Sequence, residues 1–416
     1  MASRSTLAAV VAAALLVGAG SALVFDHVRD DSATMDEPFH CYAGAEYVLS
    51  GTYYANLEHP PLTKLLAGAS LALAGARAPR IPVPFSGRTA EPLRDYCHSA
   101  GIPPGDFFAA ARRPFLVLFV LLVLVAALGV GLRAGAWAGV AVAAVLSFEP
   151  NLIAHAGLVH TDLAAALGFV LTLFLAVHAL EQRTLPAWAI LGVALGLSLA
   201  AKFSTIFLVP LVALLAGIDG LRRWRASKNS AGGDWQPRII LRRLLGPMLG
   251  AALALVTLWA AYAIPMRAMS RQDAEHSVRT FVSRAHAPSR TFELLDRLTR
   301  VSPELNHYVA GLSRIALQNR IGGGVNVLRG QRSTSGFLSY FPVAFLVKSS
   351  ASFLALMALA LGTALWKRPR LDPLVVAFLG GSLVLVLAAM GSSYNIGVRH
   401  ILPVYPLLAC AAVLVV

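Results

Sequence analysis

Four stretches of this chain combine acidic, basic and imidazole side chains within an otherwise apolar sequence. "DEPFH" begins at Asp36 and "EHPPLTK" begins at Glu58. "HTD" ends at Asp162, and "NIGVRH" ends with Arg399 and His400. A carboxylate can accept a proton in general acid–base catalysis, and an arginine can hold a phosphate group bidentately. Together these side chains predict a site in which a proton is removed and a phosphate is bound.

Each of these stretches also has a simpler explanation. Asp36 and Glu37 could be a charge pair in a solvated loop. Asp162 lies where a helix is expected to begin, and an aspartate there is an ordinary helix cap. Arg399 and His400 could cap a helix or bind lipid headgroups. The residues alone leave these alternatives open.

The composition is that of a membrane protein. Of 416 residues, 57% are hydrophobic and only 13% are charged, whereas a soluble protein carries about 25% charged residues. The net charge of +14 follows from the Lys and Arg that cytoplasmic loops collect. No zinc-finger spacing or RNA-binding motif is present, so the charge does not indicate nucleic-acid binding.

About ten apolar runs approach the ~20 residues that a helix needs to cross a bilayer. They lie at Leu7–Phe25, Pro114–Leu132, Gly135–Phe148, Leu163–Leu180, Ala187–Ala201, Phe203–Ile218, Leu244–Pro265, Phe341–Trp366, Pro373–Met390 and Ile401–Val416.

Basic loops predict the orientation of these runs. Leu221–Arg243 and the "KRPR" stretch at Lys367 are rich in Lys and Arg and are assigned to the cytoplasm. Threading ten runs with the N-terminus inside satisfies both assignments. Two long segments, Asp26–Arg113 and Met266–Tyr340, then lie outside, and all four chemistry-bearing stretches fall on that side.

Three cysteines allow limited statements about redox chemistry. Cys41 and Cys97 would share the first outer segment, whereas Cys410 lies in the last apolar run. In an oxidising compartment the first two could form a disulfide; the alternative is two unpaired thiols.

The motifs resemble one family. "DEPFH", "EHPPLTK", "EPNLIAHAGLVHTD", "GFLSYFPVAFLVKS" and "NIGVRHILPVYP" are similar to the phospholipid carrier-dependent glycosyltransferases of family 39. These are relatives of the protein O-mannosyltransferases and the aminoarabinose transferase in the GT-C class. The likeness extends from Asp36 to Pro406. It implies an all-α polytopic fold, one transmembrane domain over residues 1–416, outer loops at 26–113 and 266–340, and a chain that is truncated or a short member, because it stops inside an apolar run.

The resemblance also implies residue roles. Asp36 would be the catalytic base, with Glu37 beside it and Asp162 orienting the acceptor or supporting Asp36. Where the aminoarabinose branch carries Glu-Lys, this chain has Glu58 and His59, which speaks against aminoarabinose as the sugar. The residues expected to contact the donor phosphate or substrate are Glu58, His59, Lys64, Lys348, Arg399 and His400, although Lys348 could instead snorkel to the membrane interface.

The implied reaction is an inverting transfer of a sugar from a polyprenyl-phosphate donor to a hydroxyl of a protein, lipid or glycan. It would take place at the outer face of a bacterial plasma membrane, among membrane lipids and without nucleic acid. A transporter or flippase for lipid-linked sugars is the alternative function, and a non-catalytic scaffold is a third. No cofactor is certain; a divalent Mg, Mn or Zn ion remains open, with ligands drawn from Asp36, Glu37, His40, Glu58 and His59.

Overall fold

The computed structural model describes residues 4–80, 90–228, 237–283, 288–322, 324–368 and 371–416. Eighteen α-helices and one small hairpin are present in these ranges. The helices are α1 Arg4–Asp30, α2 Glu37–Ala45, α3 Leu62–Leu73, α4 Ala90–Ser99, α5 Pro104–Ala134, α6 Ala136–Ser147, α7 Pro150–Ala156, α8 Asp162–Gln182, α9 Leu185–Ala201, α10 Leu208–Lys228, α11 Pro237–Ala263, α12 Arg271–Ser283, α13 Ser289–Val301, α14 Pro303–Ile321, α15 Tyr340–Lys348, α16 Ala351–Lys367, α17 Pro373–Met390 and α18 Val404–Val415. The hairpin pairs β1 Asn326–Leu328 with β2 Gln331–Ser333 in antiparallel register.

Six of the described helices are long and apolar enough to cross a membrane, which confirms a helical multi-pass membrane protein. Two more crossings result if the bent pairs α6–α7 and α15–α16 each count as one. The predicted number of about ten is not confirmed. One of the ten predicted runs forms helix α9, which has 17 residues, fewer than the ~20 that span a bilayer.

Ion pairs and hydrogen bonds define two ends of the helical bundle. At one end, Arg133 of α5 bonds Glu181 of α8 at 2.6 Å and Asp372 before α17 at 2.7 Å. At the other end, Arg267 after α11 donates to the carbonyl of Tyr47 in the first predicted outer segment. The two long segments therefore meet at one end, as the predicted threading requires. The basic stretches assigned to the cytoplasm lie partly outside the described residues, at 229–236 and 369–370.

Two glycines set the packing of the first outer segment. A Cβ on Gly44 of α2 would lie 2.2 Å from the Lys64 carbonyl, and one on Gly68 of α3 would lie 1.9 Å from the Gly44 carbonyl. Any side chain at either position would force the two helices apart. This close crossing places α2, which follows Asp36, against the helix that carries Lys64.

Two apolar clusters support the site from opposite sides. One fills the bundle between α1, α5, α6, α8, α17 and α18. The other joins the first and second outer segments around Tyr47, Tyr53, Tyr262 and Tyr308. The candidate site lies where these two clusters adjoin.

Candidate active site

A cavity of about 870 Å³ opens between the two outer segments and the ends of the bundle helices. Its charged side chains are Asp36, Glu58, Lys202, Asp273 and Arg399. One wall is apolar and is formed by α14, α17 and the 3-10 turn that precedes α10. Charge on one side and apolar surface on the other suit an amphipathic ligand.

Asp36 and Arg399 meet in this cavity although 362 residues lie between them. Arg399 Nη1 donates to Asp36 Oδ2 at 2.9 Å. Asp36 precedes α2, and Arg399 lies in the 3-10 turn before α18. The side chain of Asp36 is 43% exposed and that of Arg399 is 28% exposed, so both are accessible to a ligand.

Glu37 has a different environment from its neighbour. Its carboxylate is fully buried and accepts two hydrogen bonds of 2.7 Å from Arg112 of α5. It also accepts the backbone N–H of Val159 at 3.0 Å and that of Thr34 at 2.9 Å. Burial would raise the pKa of Glu37, but Arg112 and the two amides outweigh burial and hold the pKa below its usual range.

Arg112, which sequence reasoning missed, ties the end of α1 to this network. Its guanidinium donates to the carbonyls of Val28, Asp31 and Ser32 as well as to Glu37. Glu37 does not line the cavity, and its lone pairs are occupied. We propose that Glu37 positions Asp36 against the segment that leads to α8 instead of taking part in catalysis as predicted.

Asp162 begins α8, but it also forms an ion pair, so helix capping does not fully explain it. Its carboxylate accepts a hydrogen bond from Lys202 Nζ and lies 3.8 Å from His160 Nδ1. Asp162 is 4% exposed and does not line the cavity, whereas Lys202 does. Asp162 thus acts on the cavity through Lys202. The feature of the sequence that could have identified Lys202 is its position as a single charged residue between two apolar runs.

Four imidazoles surround these charges. The ring centroids of His40 and His59 are 5.4 Å apart, and those of His40 and His160 are 5.8 Å apart. Burial, reinforced by the nearby lysines, lowers the pKa of His59 to about 3 and that of His400 to about 4. Burial also lowers the pKa of His40 and His160. The cluster is therefore neutral at pH 7.

Comparisons with known proteins agree with this geometry. Residues 104–232 match the family described as dolichyl-phosphate-mannose-protein mannosyltransferase. The crystal structure of ArnT from Cupriavidus metallidurans bound to undecaprenyl phosphate superposes with a TM-score of 0.58 at 16% identity. That alignment covers 96% of this chain and 59% of ArnT.

A second structure shares the same architecture. The oligosaccharyltransferase of Archaeoglobus fulgidus, tethered to an acceptor peptide, superposes with a TM-score of 0.50 at 13% identity. The alignment covers 97% of this chain and 49% of that protein. No curated protein matches the sequence. The chain has the GT-C glycosyltransferase fold. The resemblance inferred from the motifs is confirmed at this level.

Within the GT-C fold, Lys64 and Lys348 lie away from the cavity. Lys64 is fully buried, and its ammonium donates to the carbonyls of Asn56 and His59. It lies over the rings of Tyr47 and Tyr53, at 5.2 and 5.7 Å from their centroids. Lys64 therefore shapes the loop that presents His59 and does not line the cavity; its contact with the donor phosphate stays a prediction.

Lys348 ends α15 with an exposed side chain outside the cavity. Its backbone carbonyl accepts a hydrogen bond from Asn151, which fixes the bend between α15 and α16. This exposed position fits the snorkelling alternative, and the substrate contact of Lys348 stays a prediction. Glu58, His59 and His400, by contrast, all line the cavity.

The loop before Arg399 is held by amide side chains. Asn319 at the end of α14 accepts the backbone N–H of Ser393 at 2.7 Å, and Asn326 of β1 accepts that of Asn395 at 2.8 Å. Asn395 in turn accepts the N–H of Phe337. The second outer segment thereby positions the turn that carries Arg399.

The structure can be compared with the predictions of a metal site and of a disulfide in the part of the chain that it describes. There, no group of three or more His, Cys, Asp or Glu is arranged to hold a metal ion. Cys41 and Cys97 are both buried, and no disulfide joins them.

We expect the thermal stability of the protein to fall as the pH drops from about 6.5 to 4. Above pH 6.5, His59 and His400 are neutral in both the folded and the unfolded chain. Below it, the unfolded chain binds protons that the folded chain does not, because the folded pKa values are about 3 and about 4. Each imidazole then costs roughly 1–2 kcal/mol of stability at pH 5.

The measurement is the apparent Tm in detergent at pH 7.5 and pH 5. His400→Gln should reduce the difference, whereas His98→Gln, at an exposed position, should leave it unchanged. A Tm that is flat or rises on acidification would show that the imidazoles are not held neutral.

Proposed function

We propose that the chain transfers a sugar from a polyprenyl-phosphate donor to an acceptor hydroxyl, with inversion at the anomeric carbon. The observation that carries this proposal is the cavity in which Asp36 lies 2.9 Å from Arg399 beside an apolar wall. The chain covers 59% of the ArnT structure, so the activity is proposed from this geometry together with the shared fold.

The apolar wall suits the prenyl chain of the donor. Leu312 and Ile315 of α14 line the cavity, as do Leu385 and Ala389 of α17 and Phe207. A prenyl chain leaves water when it lies on such a surface, at about 25 cal/mol per Å² buried. Its phosphate would then lie near the charged side chains.

Arg399 and Lys202 are the proposed phosphate ligands, with His59 and His400 beside them. Both cations line the cavity, and a fixed cation stabilises the charge that develops on a leaving phosphate. Compared with the predicted set, this one leaves out Glu58, Lys64 and Lys348 and adds Lys202.

The proposed reaction is a single displacement. The acceptor hydroxyl gives its proton to an oxygen of Asp36 while the hydroxyl oxygen attacks the anomeric carbon. The bond between that carbon and the phosphate oxygen breaks, and polyprenyl phosphate leaves. No covalent enzyme intermediate forms. The acidic and imidazole residues of the described chain do not form a metal-ligand set, and no step is assigned to a metal.

The localisation follows from the same orientation. We place the site at the outer face of a bacterial plasma membrane, because the described parts of the basic stretches, the end of α10 and Lys367 of α16, lie at the Arg133 end of the bundle and the cavity at the other end. Cysteine accessibility mapping in whole cells, with single cysteines at Glu58 and at Glu181, would test it. Labelling of Glu181→Cys from outside would contradict it.

The function is tested by offering purified protein a panel of polyprenyl-phosphate-linked sugars with peptide, lipid and glycan acceptors. We expect mass spectrometry to detect one product whose mass exceeds that of the acceptor by one sugar. The same panel identifies the sugar. If every donor stays intact with every acceptor, the proposed function is wrong.

Arg399→Gln should weaken the binding of polyprenyl phosphate by about ten- to a hundredfold, because a hydrogen bond from a charged group is lost. Folding should be preserved, since a partly exposed ion pair contributes under about 1 kcal/mol. Native mass spectrometry of the bound lipid measures the effect. Arg320→Gln is the control, because Arg320 is exposed at the end of α14 and lies outside the cavity. Equal lipid retention by both variants would remove Arg399 from the phosphate site.

A further inference from the structure

Helix α12 presents one continuous polar face to the cavity. Asp273, His276, Ser277 and Thr280 all line it, and their spacing of three and four residues places them on one side of a helix. Glu58 of the first outer segment also lines the cavity. This polar wall is chemically unlike the apolar wall formed by α14 and α17, so it is the part of the cavity suited to a hydrophilic acceptor.

The charge on the polar wall is acidic. Asp273 accepts hydrogen bonds from the hydroxyl and amide of Ser270, and these lower the pKa of its carboxyl. Glu58 is exposed to the cavity. His276 is the other titratable group on this face of α12.

The arginines of the second outer segment that lie nearest this wall bond elsewhere. Arg279 pairs with Glu275 and Asp296, away from the cavity. Arg271 donates to the carbonyl of Arg300, and Arg314 to that of Phe281. None of these bonds is made to a carboxylate of the wall.

Among the described lining residues, the only lysine and arginine are Lys202 and Arg399. Asp162 and Asp36 pair with them. In the proposed mechanism, the positive charge that Lys202 and Arg399 still offer to a ligand binds the phosphate of the donor. An acceptor that approaches along α12 therefore meets two carboxylates and no free cation of the described lining.

We infer that Glu58 and Asp273 select the acceptor by charge: the site takes an uncharged hydroxyl acceptor and rejects an anionic one. The inference rests on the proposed transfer function and specifies its acceptor class. Like charges brought together across a binding site disfavour the wrong partner, which is how repulsion produces specificity. It also narrows the role of Glu58, which was predicted to contact the donor phosphate or the substrate, to the acceptor, because a carboxylate repels a phosphate.

The experiment compares two matched acceptors at saturating donor. The first pair of acceptors is a serine peptide with neutral flanking residues and the same peptide with two flanking aspartates. If peptides are not used, a neutral oligosaccharide and its phosphorylated form replace them. The variants are Glu58→Gln, Asp273→Asn and the double variant. Asparagine at position 273 can still accept the hydrogen bonds from Ser270. Glu275→Gln is the control, because Glu275 lies on α12 but outside the cavity.

We expect the wild-type protein to use the neutral acceptor at least about tenfold better in kcat/KM, and this ratio to fall about fivefold or more in the double variant. The ratio should also shrink as the salt concentration rises, and Glu275→Gln should keep the wild-type ratio. Equal use of both acceptors by the wild-type protein would overturn the inference, as would a double variant with an unchanged ratio. Transfer to neither member of either pair would instead overturn the proposed function.

Discussion

Asp36→Asn is expected to lower the rate of sugar transfer by about a hundred- to ten-thousandfold, which is the usual contribution of a general base. Asparagine keeps the size of the side chain and can still accept a hydrogen bond from Arg399, but it cannot take a proton from the acceptor. The Asp36–Arg399 pair is partly exposed, so its loss should hardly change stability. Initial rates at saturating donor and the apparent Tm measure the two effects.

Asp26→Asn is the matched control, because Asp26 is an exposed aspartate on α1 ten residues earlier. It should transfer sugar at the wild-type rate. Near-wild-type transfer by Asp36→Asn would mean that the base lies elsewhere.

Glu37→Gln should act mainly on stability, although Glu37 is adjacent to Asp36 in the sequence. The substitution leaves the guanidinium of Arg112 buried without a carboxylate, and breaking a buried pair costs about 3–5 kcal/mol. We expect the apparent Tm to fall by about 5–10 °C. Adding Arg112→Met should recover part of this loss, because the unpaired charge is then removed.

Glu293→Gln, at an exposed position on α13, is the control and should leave the Tm unchanged. If Glu37→Gln kept the wild-type Tm but lost transfer, Glu37 would have the catalytic role that the motif suggested, and the positioning role would be wrong.

The sequence was sufficient to predict that Asp36 and Arg399 share one site. Counting apolar runs and assigning basic loops to one side of the membrane placed both residues at the same face. The structure then joins them at 2.9 Å. The motif resemblance also predicted the GT-C fold.

The sequence alone could not predict that the adjacent carboxylates Asp36 and Glu37 have different environments. Adjacent residues on a helix point in different directions, and the partner of Glu37 is Arg112, 75 residues away. The surroundings of Lys64 could not be predicted for a similar reason. Its position in the motif suggested a phosphate contact, but the crossing of α2 and α3 at Gly44 and Gly68 buries it among backbone carbonyls.

Lys202 shows what the apolar pattern conceals. Two apolar runs flank it, so the hydrophobic pattern showed Lys202 only as a charged residue between two predicted helices. In the structure the chain is extended at Lys202, between α9 and the following 3-10 turn. This break turns its ammonium toward Asp162 and the cavity. The count of about ten crossings is not confirmed, because α9 is apolar but has only 17 residues and two other runs belong to bent helix pairs.

The most direct test of transfer at this cavity uses a donor with one isotope in the sugar and another in the polyprenyl chain. The protein is reconstituted into liposomes with the donor and an accepted acceptor. We predict that the sugar label moves to the acceptor while the lipid label stays in polyprenyl phosphate, and that Asp36→Asn prevents this separation. Two labels that remain together, whether or not the intact donor crosses the bilayer, would contradict the account.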